Sequence, residues 1–195
     1  MPQPIRSVAV FCGSRHGTDP AHAAAAAELG HAIASAGLAL VYGGGGVGLM
    51  GQVAEAAIAA GGHVHGIIPE FLTRIERVYP AVAELEVTSS MHSRKTRMYE
   101  MSDAFIALSG GLGTMDELME VLTWRQLHLH DKPIIVLDIA GWARPFLALV
   151  EHMIEAGFVA PDGRDLFAVA PDVPAAMALL QQSPTSEVSA PAERL

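Results

Sequence analysis

Short runs of consecutive apolar residues recur along this chain, and most are followed by a glycine-bearing turn and a longer helical pattern. Ser7 to Cys12 is the first run, apolar on both faces as buried parallel strands are. Asp19-Pro20 then starts an alanine-rich helix that reaches Ala36 and stops at Gly37. Leu38 to Tyr42 is the second strand. Gly43 to Gly46 follow it, then Val47-Gly48-Leu49-Met50-Gly51 and a helix to about Ala60. His63 to Ile68 is the third strand, ended by Pro69. Glu70 to Ala83 reads as a loop with a helical turn, and Leu85 to Val87 as a short strand. Ser90 suits the cap of a helix from Met91 to about Met101. Ala104 to Leu108 is a buried strand that runs into Ser109-Gly110-Gly111-Leu112-Gly113, with a helix from about Thr114 to Leu127. Pro133 to Leu137 is a strand, Trp142 to Ala156 a helix, Leu166 to Val169 an edge strand, and Pro171 to Gln181 a last helix. This alternation predicts an α/β fold: a Rossmann-like parallel sheet with helices on both faces. No linker divides the chain, so residues 1–182 are expected to form a single domain, with 183–195 as a disordered Pro/Ser/Glu-rich tail.

Composition narrows the chemistry. The 195 residues are 51% hydrophobic, enough for one sizeable core. A formal charge of -9, from 12 basic and 21 acidic residues, argues against a nucleic-acid partner, which needs a basic face. A small anion needs only one local positive site. Cys12 is the one cysteine, so neither an internal disulfide nor a multi-cysteine zinc site can form. No apolar run approaches the roughly 18 residues of a membrane span, and no signal-peptide pattern opens the chain. A cytoplasmic protein without a membrane partner is the expectation.

Two glycine loops follow strands. Gly43 to Gly48 contains a G-x-G-x-x-G match, with Glu70 roughly 20 residues on, where a dinucleotide fold carries its ribose acid. Four consecutive glycines generate such a match by chance, and a plain strand–helix turn fits equally. The second loop, Gly110 to Thr114, opens a helix, a layout that aims backbone N–H groups at a phosphate. Glu117 stands just inside that helix. Thr114-Met115-Asp116-Glu117 also fits a capping box, in which Glu117 merely bonds back to the backbone. Asp116 suits the positive helix end.

Helix phase sharpens the second loop. Met115, Leu118, Met119 and Leu122 share the expected core side, while Glu117, Glu120, Trp124 and Leu127 lie opposite. Apolar residues beside two acids suggest a cleft or a subunit interface, with a partly exposed Trp124 as the alternative. On the preceding helix, Arg94 falls within the inward stripe Met91, Met98, Met101. A buried cation needs a partner, and Glu117, a bound phosphate or a structural salt bridge would each serve. His63, His65, His128 and His130 show no ligand spacing, so no metal site is expected. Lys95 and Lys132 are the two lysines, little choice for a pyridoxal-phosphate Schiff base.

Taken together, these motifs resemble the LOG ("Lonely guy") family, the cytokinin riboside 5′-monophosphate phosphoribohydrolases often mislabelled lysine decarboxylases. Ser109 to Glu117 resembles its PGGxGTxxE signature, with Ser109 in place of proline, and Met91-His92-Ser93-Arg94-Lys95 is similar to its MHxRK motif. Phe11-Cys12-Gly13-Ser14-Arg15, Tyr42 to Gly45, Gly48 to Gly51 and Thr123 to Leu127 also fit, over about Val8 to Phe158. The resemblance implies a Rossmann-like homodimer that needs no cofactor. Its small-molecule substrate would be a purine nucleoside 5′-monophosphate, cleaved at the N-glycosidic bond to free base and ribose 5-phosphate. It implies Arg94 and Glu117 as the catalytic pair. Substrate contacts are implied for Lys95, for Gly110, Gly111, Leu112, Gly113, Thr114, Met115, Asp116 and Glu117, and for Thr123. Ser14 joins them from the first turn, and Glu76 by counting back from Arg94. Two rivals stand beside this reading: a non-catalytic nucleotide or cofactor carrier on the same fold, and a dinucleotide oxidoreductase built on Gly43 to Gly48.

Overall fold

A computed structural model describes residues 4–74, 82 and 84–183. Its centre is a seven-stranded, all-parallel sheet in the order β4-β3-β2-β1-β5-β6-β7. The strands are β1 (Ser7–Phe11), β2 (Ala39–Tyr42), β3 (Val64–Pro69), β4 (Glu84–Thr88), β5 (Ala104–Ala107), β6 (Ile134–Leu137) and β7 (Ala168–Ala170). Between them run helices α1 (Pro20–Ser35), α2 (Gly48–Ala59), the single turn α3 (Glu70–Thr73), α4 (Met91–Glu100), α5 (Leu112–Gln126), α6 (Arg144–Glu155) and α7 (Val173–Gln182).

The alternation of strand and helix produced the expected α/β class because each apolar strand needs cover on both faces. One core layer packs Val8, Val10, Leu40 and Tyr42 against Leu29 and Ile33 of α1, Val53 of α2 and Leu180 of α7. The other packs Ala9, Phe11, Val41 and Phe105 against Met98 of α4, Leu118 and Leu122 of α5 and Phe146 of α6. Local signals end the elements as their chemistry requires. The Asp19 carboxylate accepts from the Ala21 N–H at the start of α1, and Gly37 follows its end at φ +71°. Ser90 and Ser93 each accept from the other's backbone N–H at 3.0 Å, a capping box that fixes the start of α4.

Helix α5 departs from expectation. It starts at Leu112, two residues before Thr114, with Gly111 as an N-cap that makes no side-chain bond. Glu117 therefore lies too deep to reach the cap, and Thr114 to Glu117 is not a capping box. Trp124 is a second correction. It is 8% exposed, edge-on to Tyr99 with ring centroids 5.2 Å apart, and belongs to the core rather than to a cleft or subunit interface. Helix α5 is wedged between the sheet and α4, so its buried arc is wider than a single stripe. Met119, assigned to the core side, is 37% exposed instead. Helix α6 begins at Arg144 rather than Trp142, because a 3₁₀ turn over Ile139–Gly141 intervenes. The expected tail beyond Ser183 lies outside the described residues.

Candidate active site

The strand order reverses between β1 and β5, and a doubly wound sheet opens a crevice beyond the carboxyl ends of its strands at that point. A cleft of about 720 Å³ lies there. It is walled by the turn after β1, Cys12 to Gly17, and by the glycine loop Ser109 to Thr114 after β5. Met91 and Arg94 of α4, Glu117 of α5, Trp142 after β6, His22 of α1, Leu49 and Met50 of α2 and Leu72 of α3 also line it.

Arg94 and Glu117 meet inside it. The guanidinium Nη1 lies 3.3 Å from Glu117 Oε1, and the two side chains are 7% and 9% exposed. The rest of the guanidinium fork donates to backbone: Nε to the Ile67 carbonyl at 3.1 Å, and Nη2 to the Gly43 carbonyl at 3.3 Å. Those carbonyls belong to β3 and to the residue just after β2, so the arginine is held by parts of the chain far from its own helix. Burial pushes the Glu117 carboxyl up to about 7, with the Arg94 charge partly opposing the rise. Cys12 also lines the cleft, but burial raises its thiol far above the ordinary range, which leaves it protonated and unreactive.

The first glycine loop serves this pair rather than a dinucleotide. A Cβ on Gly43 would collide with the Arg94 guanidinium, so glycine is what admits the cation. The opening N–H groups of α2, on Leu49 and Met50, both donate to the Gly13 carbonyl. They clamp the β1 turn and are already occupied. We expect Gly43→Ala to displace Arg94, destabilising the fold by roughly 1–3 kcal/mol as overpacking does. Urea denaturation would measure the loss.

In the second loop, a Cβ on Gly110 would collide with Thr114, whereas Cβ atoms on Gly111 and Gly113 would meet nothing within 4 Å. The glycine at 110 is a packing requirement; those at 111 and 113 face open space among the described residues. Among the described residues no side chain caps α5, so its first turn offers backbone donors to an anion.

Of the residues anticipated from sequence, Ser14, Arg94, Gly110, Gly111, Leu112, Gly113, Thr114 and Glu117 all line the cleft. Lys95, Met115, Asp116 and Thr123 lie away from its lining. The Lys95 ammonium sits 3.1 Å from both Asp116 and Glu120, tying α4 to α5 beside the site. Thr123 donates its hydroxyl to the Met119 carbonyl on its own helix. Glu76 lies outside the described residues. Sequence reasoning missed His22 and Trp142, which also line the cleft. The Trp142 indole N–H donates to the Gly110 carbonyl at 3.0 Å and braces the loop. Its place just beyond β6, next to β5, was the available signal, since loops at the carboxyl ends of strands flanking the reversal line the crevice. His130, by contrast, is structural. Its Nε2 bonds the Val121 carbonyl at 2.9 Å, and burial brings the ring down to about 4. Among the described residues no group of three or more metal-ligating side chains comes together.

A family model described as "Possible lysine decarboxylase" matches residues 50–180. The cytokinin riboside 5′-monophosphate phosphoribohydrolase LOG3 of Arabidopsis thaliana is 44% identical over 167 residues, 86% of this chain and 78% of its own. The cytokinin riboside 5′-monophosphate phosphoribohydrolase of Rhodococcoides fascians is 45% identical over 177 residues, 90% of this chain and 89% of its own. The chain belongs to the LOG family. Among solved structures, the molybdenum cofactor carrier protein of Chlamydomonas reinhardtii superposes with a TM-score of 0.69 at 26% identity, over 91% of this chain and 96% of that one. For this LOG-family chain the decarboxylase description finds no footing in its lysines. Lys95 is engaged by two carboxylates. Lys132 packs 3.7 Å over the Tyr99 ring, away from the cleft.

Proposed function

We propose that this protein hydrolyses the N-glycosidic bond of purine nucleoside 5′-monophosphates, releasing free base and ribose 5-phosphate. The observation that carries the proposal is the buried Glu117–Arg94 pair, set in the cleft beside an uncapped helix N-terminus. The relatives' names supply the substrate class. Breaking a ribosyl C–N bond leaves positive charge on the sugar. The base departs with the bonding electron pair, and water adds at the vacated carbon. Glu117 as a carboxylate stabilises that charge and takes a proton from the attacking water. A group that titrates near 7 can take this proton and return it to the leaving base. Arg94 favours the ionised form of Glu117 against the effect of burial and holds it in place, and the backbone of Gly110 to Thr114 receives the 5′-phosphate.

Domain extent and assembly belong to the same proposal: residues 1–182 as one catalytic domain, working as a cytoplasmic homodimer. The described helices include none long and apolar enough to cross a membrane. Trp124 is buried, so of the two dimer-contact candidates only Leu127, 62% exposed, offers surface. Sedimentation of the purified chain measures its assembly.

The deciding assay is release of free base from a panel of nucleoside 5′-monophosphates, including AMP and isopentenyladenosine monophosphate. Release from at least one is expected; no release from any overturns the hydrolase reading. The structural likeness to a molybdenum cofactor carrier favours one alternative, a carrier on this fold. A carrier would protect a bound nucleotide without turnover and would tolerate loss of Glu117.

A further inference from the structure

We propose that His22 binds the 5′-phosphate of the substrate and makes the site discriminate nucleotides from nucleosides, with Ser109 as its positioning residue. The proposal rests on the phosphoribohydrolase reading above.

His22 stands in the first turn of α1, part-buried, and lines the same cleft as Gly110 to Thr114. Its Nδ1 lies 2.8 Å from Ser109 Oγ. Ser109 is 3% exposed and immediately precedes the glycine loop, where its carbonyl accepts from the Gly13 N–H at 3.0 Å. Among the described residues the His22 ring is the one partner of the Ser109 hydroxyl. In the arrangement proposed, Ser109 donates to Nδ1, the ring hydrogen sits on Nε2, and that N–H is the donor offered to a ligand in the cleft. The β1 turn passes close to the opposite side of the ring. Gly17, at φ +76°, brings the β1 turn so close that a Cβ there would stand 3.1 Å from His22 Cδ2. The imidazole thus bonds one of the loops that wall the cleft and lies next to the other.

The groups along the lining differ in kind. Glu117 is the only acid among the described residues that line the cleft, and it is paired with Arg94. Arg15, His16 and His22 line it beside the start of α1, and none of them has a carboxylate partner among the described residues. The Glu117 carboxylate suits a sugar that gains positive charge. The Arg15 cation and the imidazole N–H donors suit the phosphate, which the N-terminus of α5, with no side-chain cap among the described residues, also meets. Of these groups His22 is the one held by a bond to a buried side chain, so it contributes with little ordering cost.

The test separates binding from turnover. Ribose 5-phosphate is titrated by calorimetry into the wild-type protein and into His22→Ala, His22→Gln and Ser109→Ala. Circular dichroism and thermal melting establish that each variant is folded. His22→Ala is expected to weaken ribose 5-phosphate by about tenfold or more, the factor that one hydrogen bond to a charged group is worth. His22→Gln, which carries an N–H donor near the Nε2 position, should recover part of that loss, and Ser109→Ala should show a smaller loss in the same direction. In the assay, KM for AMP should rise by a similar factor with kcat within about twofold, while kcat/KM for adenosine stays unchanged. Ribose 5-phosphate affinity within about twofold of wild type in folded His22→Ala overturns the proposal. So does an equal loss toward AMP and adenosine. If the wild type cleaves no nucleotide yet binds ribose 5-phosphate through His22, the hydrolase reading fails and the His22 assignment stands.

Discussion

Glu117→Gln is expected to lower kcat for base release by about 10²–10⁴-fold, the range a positioned acid–base group supplies. The variant keeps the shape of the side chain and an oxygen for Arg94 to bond, so the fold should persist. What it loses is the negative charge and the ability to hold a proton from water. Its stability carries a second signature. The folded protein raises the Glu117 carboxyl from 4.5 to about 7, so folding favours the protonated form. The stabilisation this gives is complete below about 4.5 and disappears as pH rises through about 7. Glutamine is neutral throughout and shows no such loss. The stability difference, variant minus wild type, should therefore climb between pH 4.5 and pH 7. Urea melts at several pH values measure it, and a flat difference would mean that Glu117 is not held in a desolvated site.

Arg94→Ala is expected to be costly in both stability and activity. The side chain gives up an ion pair and two backbone hydrogen bonds, and leaves a buried carboxylate behind. Removing one partner of a buried pair typically costs about 3–5 kcal/mol. The loss should be largest at pH 8, where Glu117 is ionised, and smaller at pH 5, where it is protonated. Activity reports the same coupling. In the wild type, kcat/KM should rise with pH and level off above about 7 as Glu117 ionises. Without the Arg94 charge, which lowers the Glu117 value, that limb should move to higher pH. The second ionisation of a phosphate monoester, near roughly 6, also contributes to the profile, but it belongs to the substrate and stays fixed between variants. A limb that does not move would show that Arg94 acts on the substrate alone.

The two variants probe a pair whose members were each visible in the chain for a different reason. Arg94 stood out as a cation in the Met91, Met98, Met101 stripe, and an inward cation demands a partner whatever the fold. Glu117 stood out by following a glycine loop, but its role was ambiguous between cap and catalyst. The ambiguity ended with the position of the helix start. With α5 beginning at Leu112, Glu117 cannot cap, and its carboxylate is free to face Arg94. Trp124 shows the limit of phase arguments. A helical wheel treats burial as one-sided, while α5 is covered by the sheet and by Tyr99 of α4 at once.

Local chemistry in the sequence determined the alternation of strands and helices, the caps at Asp19 and Ser90, and the glycine loop that opens α5, because each depends on neighbours within a few residues. Tertiary structure alone decided what meets across the cleft. The Gly43 and Ile67 carbonyls that seat Arg94, the Trp142 indole that braces Gly110, and the His22 ring against Ser109 come from segments far apart in the chain. The parallel sheet gathers the carboxyl ends of β1, β2, β3, β5 and β6 along one edge, and no spacing in a linear chain encodes which of their loops will touch.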